Sequence, residues 1–228
     1  MSIAHFLVVN SKDIEIGSLN DELLRSEIEA LGAVNGVERV DRYDLADFDD
    51  PMTNDGKGPI LTIQTSYTDI SSLEQGLRSA ELNALLDKLL EMPGASLSHD
   101  ALEIMFFPVA GEEKPSEWVA PLSYVVRYHH PSDEHEAFVN FYITHHPQIE
   151  AHFPGIRSIM CYVPIDFQDP GQIPCENYML GNEVVFDSTE ALHAALTSSV
   201  LADMKADSAN FPSYGHNTHF AMHRRRVV

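Results

Sequence analysis

The sequence predicts an α+β fold of two tandem βαββαβ units, with two antiparallel sheets packed face to face and the helices outside. Two observations carry this reading. First, shifting the chain by 119 residues carries Gly36, Val37, Val40, Tyr43 and Asp47 onto Gly155, Ile156, Ile159, Tyr162 and Asp166. The same shift carries Leu73, Leu77, Ser79 and Leu82 onto Leu192, Leu196, Ser198 and Leu201, which implies duplication without net insertion. Second, the hydrophobic period switches between two and three-to-four in the same order in each half.

In the first half, Ile3–Val9 is an apolar strand, and Leu23, Leu24, Ile28 and Leu31 form a helical stripe. Val37–Leu45 alternates as a strand, and Pro59–Tyr67 is rich in β-formers. Leu73, Leu77, Leu82, Leu85, Leu86 and Leu89 mark one further helix, and Ala101–Val109 closes the unit (1–110). The segment 111–121 is polar, carries Pro115 and lacks periodicity, which suits a linker that Trp118 pins to a groove. The second unit (122–228) repeats the order in Leu122–Tyr128, Asp133–Ala151, Ile156–Ile165, Tyr178–Asp187, Ser188–Lys205 and Thr218–Arg225. A sheet covered by helices on one face leaves its other face apolar and in need of a partner, which the tandem copy supplies.

Composition narrows the class. The 228 residues are 44% hydrophobic, enough for a substantial core. A net charge of −21 repels nucleic acid and anionic membrane, so neither is an expected partner. Arg224, Arg225 and Arg226 read as a solvated strand end. Cys161 and Cys175 are too few for a disulfide scaffold and lack CxxC spacing. No apolar run approaches membrane-spanning length and the N-terminus shows no leader pattern, so a soluble, cytoplasmic protein is expected. Phosphate loops, dinucleotide fingerprints and Ser-His-Asp motifs are absent.

The most informative stretch is Tyr124–Ile165. Asp133 with Glu136 reads as a capping box, and Phe138, Phe141, Tyr142, Ile149 and Phe153 mark one helical face. His145 falls on that face by spacing, and Pro147 is expected to kink or end the helix. This stretch resembles the EthD-like family of the dimeric α+β barrel (ferredoxin-like) superfamily. The matching residues are Phe138, the pair Phe141-Tyr142, then His145-His146-Pro147, and Pro154-Gly155-Ile156. Gln148 departs from the family's usual Leu, and the Pro-Gly falls about one residue late. The resemblance implies ferredoxin-like units closing into an intramolecular α+β barrel, with ligand cavities between the helices and the sheet of one unit.

Ten of the twelve histidines lie after residue 120, and the repeat offset takes His145 and His146 to Ser26 and Glu27. The second unit is therefore expected to carry the chemistry and the first to be structural. His145 is the expected general base of a cofactor-independent enzyme, assisted by Tyr128, Tyr142 or His219. His146, Phe141, Tyr162, Tyr178 and His223 are expected to contact substrate. The expected substrate is a small apolar, aromatic or polyketide-like metabolite, in isomerase, lyase, cyclase or oxygenase chemistry. Two alternatives stand beside it: a non-catalytic binding or accessory protein, and a His-ligated metal-dependent lyase or dioxygenase. No metal is expected, because His145 with His219 and His223 lacks HExxH or facial-triad spacing. A homodimer through exposed strand edges is a further expectation.

Overall fold

The computed structural model describes residues 2–15, 21–116 and 120–228, with the backbone alone for 21–23. Trp118 lies outside the described residues. The first half contains β1 (Ile3–Ser11), α1 (Asp21–Leu31), β2 (Val37–Leu45), β3 (Leu61–Tyr67), α2 (Ile70–Gly76), α3 (Ala80–Leu90) and β4 (Ala95–Phe107). The second contains β5 (Leu122–His129), α4 (His135–Glu150), β6 (Ser158–Pro164), β7 (Leu180–Phe186), α5 (Thr189–Leu196), α6 (Val200–Ser208) and β8 (His216–Arg226).

All strand pairs are antiparallel and close into one eight-stranded barrel in the order β1-β3-β2-β8-β5-β7-β6-β4. The expected pair of face-to-face sheets is thus joined at both margins, by β2–β8 and by β4–β6. Closure satisfies the backbone groups that an open edge would leave unpaired. It also removes the free edges through which a dimer was expected to form.

Closure creates three apolar layers. Leu24, Ile28, Leu73, Leu85 and Leu89 pack the first-half helices onto the outer face of their strands. Phe138, Tyr142, Leu192 and Leu196 do the same in the second half. The barrel lumen holds Phe6, Tyr43, Leu102, Met160, Tyr162 and Met222. Strands β3 and β7 are buried along their whole length because one face meets the lumen and the other meets helices.

Several boundaries differ from the sequence reading. The single helix expected over Leu73–Leu89 is two, because Ser79 takes extended geometry and its side chain accepts from Leu82 N to start α3. The expected Ser188–Lys205 helix likewise divides into α5 and α6. Strand β4 begins at Ala95, six residues before the expected start, as its register with β1 continues to Ser11. Asp133 does not cap α4. The helix starts after Glu134, whose carboxylate accepts from Ser213 N at 3.0 Å and ties the helix start to the approach to β8. Pro147 removes the donor that would meet the Ile143 carbonyl, yet α4 continues to Glu150.

Arg224 is not a solvated strand end: its side chain is buried in the lumen and fully enclosed. Its Nη2 meets Asp41 Oδ2 on β2 at 2.7 Å, and its Nη1 meets Glu183 Oε1 on β7 at 2.8 Å. Tyr162 donates its hydroxyl to Glu183 Oε2 at 2.7 Å, Tyr43 donates to Gln64 Oε1 at 2.6 Å, and Ser123 also donates to Glu183. Burial works to raise the Glu183 carboxyl, but Arg224, Ser123 and Tyr162 together hold it below its ordinary range. Removing one partner of such a buried pair leaves an uncompensated charge. Arg224→Met is therefore expected to lower unfolding free energy by roughly 3–5 kcal/mol. Adding Asp41→Asn and Glu183→Gln to it should recover part of that loss, as urea denaturation at neutral pH can check. A cost below about 1 kcal/mol for the single variant would contradict the strap role assigned to Arg224.

Candidate functional site

A cavity of about 250 Å³ lies between the second-half helices and the outer face of β5, β7 and β8. Its floor follows strand alternation: Tyr124, Val126 and Tyr128 on β5, and Asn182, Val184 and Phe186 on β7. Its wall is one face of α4, where Tyr142, His146 and Glu150 recur every fourth residue. Met204, Lys205 and Ser208 of α6 close one side. Met52 and Thr53, from the loop between β2 and β3, reach across from the first half. That loop is anchored by Asp50, which accepts the Tyr124 hydroxyl at 2.6 Å, and by Asp55, which meets His219 Nδ1 at 3.0 Å.

The polar groups of this cavity are few and positioned. His146 is 5% exposed, and its Nδ1 meets Asp207 Oδ2 of α6 at 2.7 Å. Its Nε2 has no hydrogen-bond partner among the described residues and is not sealed off. Burial pulls the imidazole pKa down, while Asp207 opposes it. Glu150, 3% exposed, accepts from Asn182 Nδ2 at 3.0 Å. Burial pushes its carboxyl up to about 8, against smaller opposing effects of Asn182 and Tyr142. The Tyr128 and Tyr142 rings meet edge-on with centroids 5.2 Å apart, and burial raises both phenols well above their ordinary range. Near neutral pH the cavity therefore presents a neutral carboxylic acid, two phenols and an oriented imidazole.

The structure brings Tyr128, Tyr142, His146 and His219 of the sequence-predicted set together around this cavity. It places His145 elsewhere. The buried face of α4 is Phe138-Tyr142-His146-Glu150, one residue out of phase with the expected face. His145 is exposed, stacks on Phe141 at 4.2 Å, and has its Nδ1 2.8 Å from the Phe141 carbonyl. Phe141 is spent in that stack and in an edge contact with Phe211. His223 is exposed on β8, although it shares the outward parity of His219. Tyr162 belongs to the lumen with Glu183, and Tyr178 lines a different cavity at the lumen mouth. Among the described residues, no three His, Cys, Asp or Glu side chains are grouped to hold a metal ion.

Sequence reasoning missed Glu150, Asn182, Asp207 and Tyr124. For Glu150 the signal was present, because it follows His146 by four residues and Tyr142 by eight. Asn182, inside a run of strand formers, gave none.

No protein-family model matches the chain, and no curated protein sequence matches it. Solved structures do. An anthrone oxidase-like protein aligns over 99% of this chain and 93% of its own at 12% identity, with a TM-score of 0.67. A candidate monooxygenase of Fusobacterium nucleatum subsp. nucleatum aligns over 99% and 93% at 9% identity, with a TM-score of 0.61. A candidate monooxygenase of Lactobacillus acidophilus aligns over 100% and 94% at 10% identity, with a TM-score of 0.54. The shared fold is the closed, eight-stranded antiparallel α+β barrel described above. At these identities the likeness speaks for the fold. No helix among the described residues is long and apolar enough to cross a membrane.

The Glu150 environment predicts a pH signature. A carboxyl whose folded pKa is about 8, against an unfolded value near 4.5, keeps its proton in the native state longer than in the unfolded state. Its stabilising contribution is complete below about pH 4.5 and falls as pH rises toward 8, by up to about 1.4 kcal/mol per pH unit. Glu150→Gln should flatten this slope, so its stability relative to wild type should improve steadily between pH 5 and 8. Parallel stability–pH curves for the two proteins would show that Glu150 titrates normally.

Proposed function

We propose that this protein is an enzyme acting by general acid–base catalysis on a small, largely apolar, aromatic or polyketide-like metabolite bound in the α4 cavity. The observation that carries this is the His146–Asp207 pair, an oriented imidazole facing the same cavity as a neutral buried Glu150. Asp207 holds Nδ1, which leaves Nε2 as the base. In the proposed step, Nε2 takes a proton from carbon next to a carbonyl, and the C–H electron pair moves onto the carbonyl oxygen as an enolate. Tyr142 or Tyr128 donates a hydrogen bond to that oxygen, and Glu150 supplies the proton that completes isomerisation, dehydration or ring closure. The chemistry proposed needs no cofactor. The role first expected of His145 passes to His146, its neighbour, because His146 reaches the cavity.

The EthD-like motif of α4 and the names of the solved neighbours, which include an anthrone oxidase-like protein, are in keeping with activated aromatic substrates. A tandem ferredoxin-like origin is supported by matching strand order, β4-β1-β3-β2 beside β8-β5-β7-β6. The repeat offset puts Leu31 at the place of Glu150, Ile63 at that of Asn182 and Glu27 at that of His146. We accordingly read 1–110 as a structural unit, 111–121 as a linker, and 122–228 as the unit that bears the site. A homodimer on this reading is built through helix or loop surfaces.

Solvent deuterium exchange tests the proposal and does not require the natural substrate. Wild-type protein is expected to accelerate exchange at the acidic C–H of at least one compound in a panel of anthrones, aromatic ketones and lactones. His146→Gln should lose on the order of 10²–10⁴-fold of that rate, with Asp207→Asn intermediate and His145→Gln close to wild type. Saturable ligand binding without exchange would favour the binding-protein alternative, and full activity in His146→Gln would remove His146 as the base.

A further inference from the structure

The barrel lumen opens at one end into a second cavity of about 260 Å³, separated from the α4 cavity by the sheet itself. Its walls include Phe6, Tyr43, Tyr178, Phe220 and Met222, and its polar anchor is Arg127 of β5. Arg127 is only 8% exposed. Its Nη1 donates to the Val126 carbonyl at 3.0 Å and lies 3.5 Å from the Asn182 carbonyl. Its Nε and Nη2 make no hydrogen bond among the described residues, and they are not sealed from the cavity. The guanidinium carbon lies 4.7 Å from the Phe6 ring centre, 5.2 Å from that of Tyr162 and 5.8 Å from that of Tyr178. Gly181 lets it lie flat, since a Cβ there would sit 2.9 Å from Arg127 Nη1.

The surrounding charges leave this cation with no ion pair among the described residues, and Glu183 acts on it only at longer range. Arg39 pairs with Asp41, and Arg224 pairs with both Asp41 and Glu183, which accounts for the two lumen acids. Arg127 has no carboxylate within ion-pair distance among the described residues. At the mouth, Asp55 is bonded to His219, and Asp100 accepts from Tyr178 N at 2.8 Å. Glu176 and Lys57 stand at the rim with opposite charge. A buried arginine among aromatic faces, with donors open to a void, fits a carboxylate group bearing a flat apolar body.

We propose that the lumen mouth is a second ligand site, which takes a compact aromatic monocarboxylate with its carboxylate on Arg127 and its ring among Phe6, Tyr178 and Phe220. The site is independent of the α4 cavity. Calorimetric titration at neutral pH with phenylacetate, benzoate and the uncharged phenylacetamide tests it. Phenylacetate or benzoate should bind wild type saturably, and phenylacetamide at least about ten-fold more weakly. Arg127→Met should weaken carboxylate binding by about ten-fold or more, whereas His146→Gln should leave it unchanged. Phe220→Trp, which narrows the mouth and keeps Arg127, should also weaken it and serves if Arg127→Met does not fold. No saturable carboxylate binding to wild type, equal affinity in folded Arg127→Met, unchanged affinity in Phe220→Trp, or loss in His146→Gln would each overturn the proposal.

Discussion

The Arg224 guanidinium is the interaction on which the barrel depends. Strand β8 sits at the joint between the halves, paired with β2 on one side and β5 on the other. From there Arg224 reaches Asp41 on β2 and Glu183 on β7, so one side chain spans both halves from inside the lumen. An apolar lumen of equal volume would be no less stable, because desolvating two carboxylates and a guanidinium offsets much of their attraction. What the network adds is directional. Tyr162 of β6 and Ser123 of β5 both donate to Glu183 of β7, and Tyr43 of β2 donates to Gln64 of β3, which ties the relative placement of these strands. A slip of any of these strands by one residue would turn its polar group into an apolar helix layer.

The same alternation places the chemistry. On β7, Glu183 points into the lumen while its neighbour Asn182 reaches Glu150 in the α4 cavity. On β5, Arg127 lies over lumen aromatics while Tyr128 meets Tyr142 and Phe138 outside. Structural and candidate functional groups are thus adjacent in sequence and separated by the thickness of one strand. Substitutions at Asn182 or Tyr128 alter the α4 cavity, and substitutions one residue away, at Glu183 or Arg127, alter the lumen.

That arrangement also decides what could be read from the sequence. Strand β2 matches its expected limits, Val37–Leu45, and the order of strands and helices followed from the periodicity. The helix phase was wrong by one residue. His145 and His146 are adjacent, Phe141 and Tyr142 are adjacent, and apolar spacing alone favours neither phase. The deciding residue was Glu150, which looks solvent-facing by type but is enclosed at the bottom of the cavity. Arg224 was misread for the same reason. It lies in a basic run whose neighbours Arg225 and Arg226 are exposed, and only barrel closure reveals that the alternate residue turns inward. The pairing of His146 with Asp207 joins residues on two helices and has no local signature.

Within the α4 cavity the two ionisable groups with the greatest consequence are driven toward neutrality from opposite sides. Burial raises Glu150 and lowers His146, so each favours its uncharged form in the same apolar space. A carboxyl that keeps its proton and an imidazole that lacks one are the complementary states an acid and a base require at one pH. Asp207 meets the imidazole at Nδ1, on the far side from the open Nε2, and in the proposed step it would stabilise the imidazolium formed after proton transfer. The first-half helix layer is filled by Leu24, Ile28, Leu85 and Leu89, and its polar groups include the buried His5–His99 pair, 3.1 Å apart, beside Leu77, Leu82 and Leu86. On the proposed reading, the second-half helix layer is the one that holds an opposed acid and base, because only there do a raised carboxyl and a lowered imidazole line one cavity among the described residues.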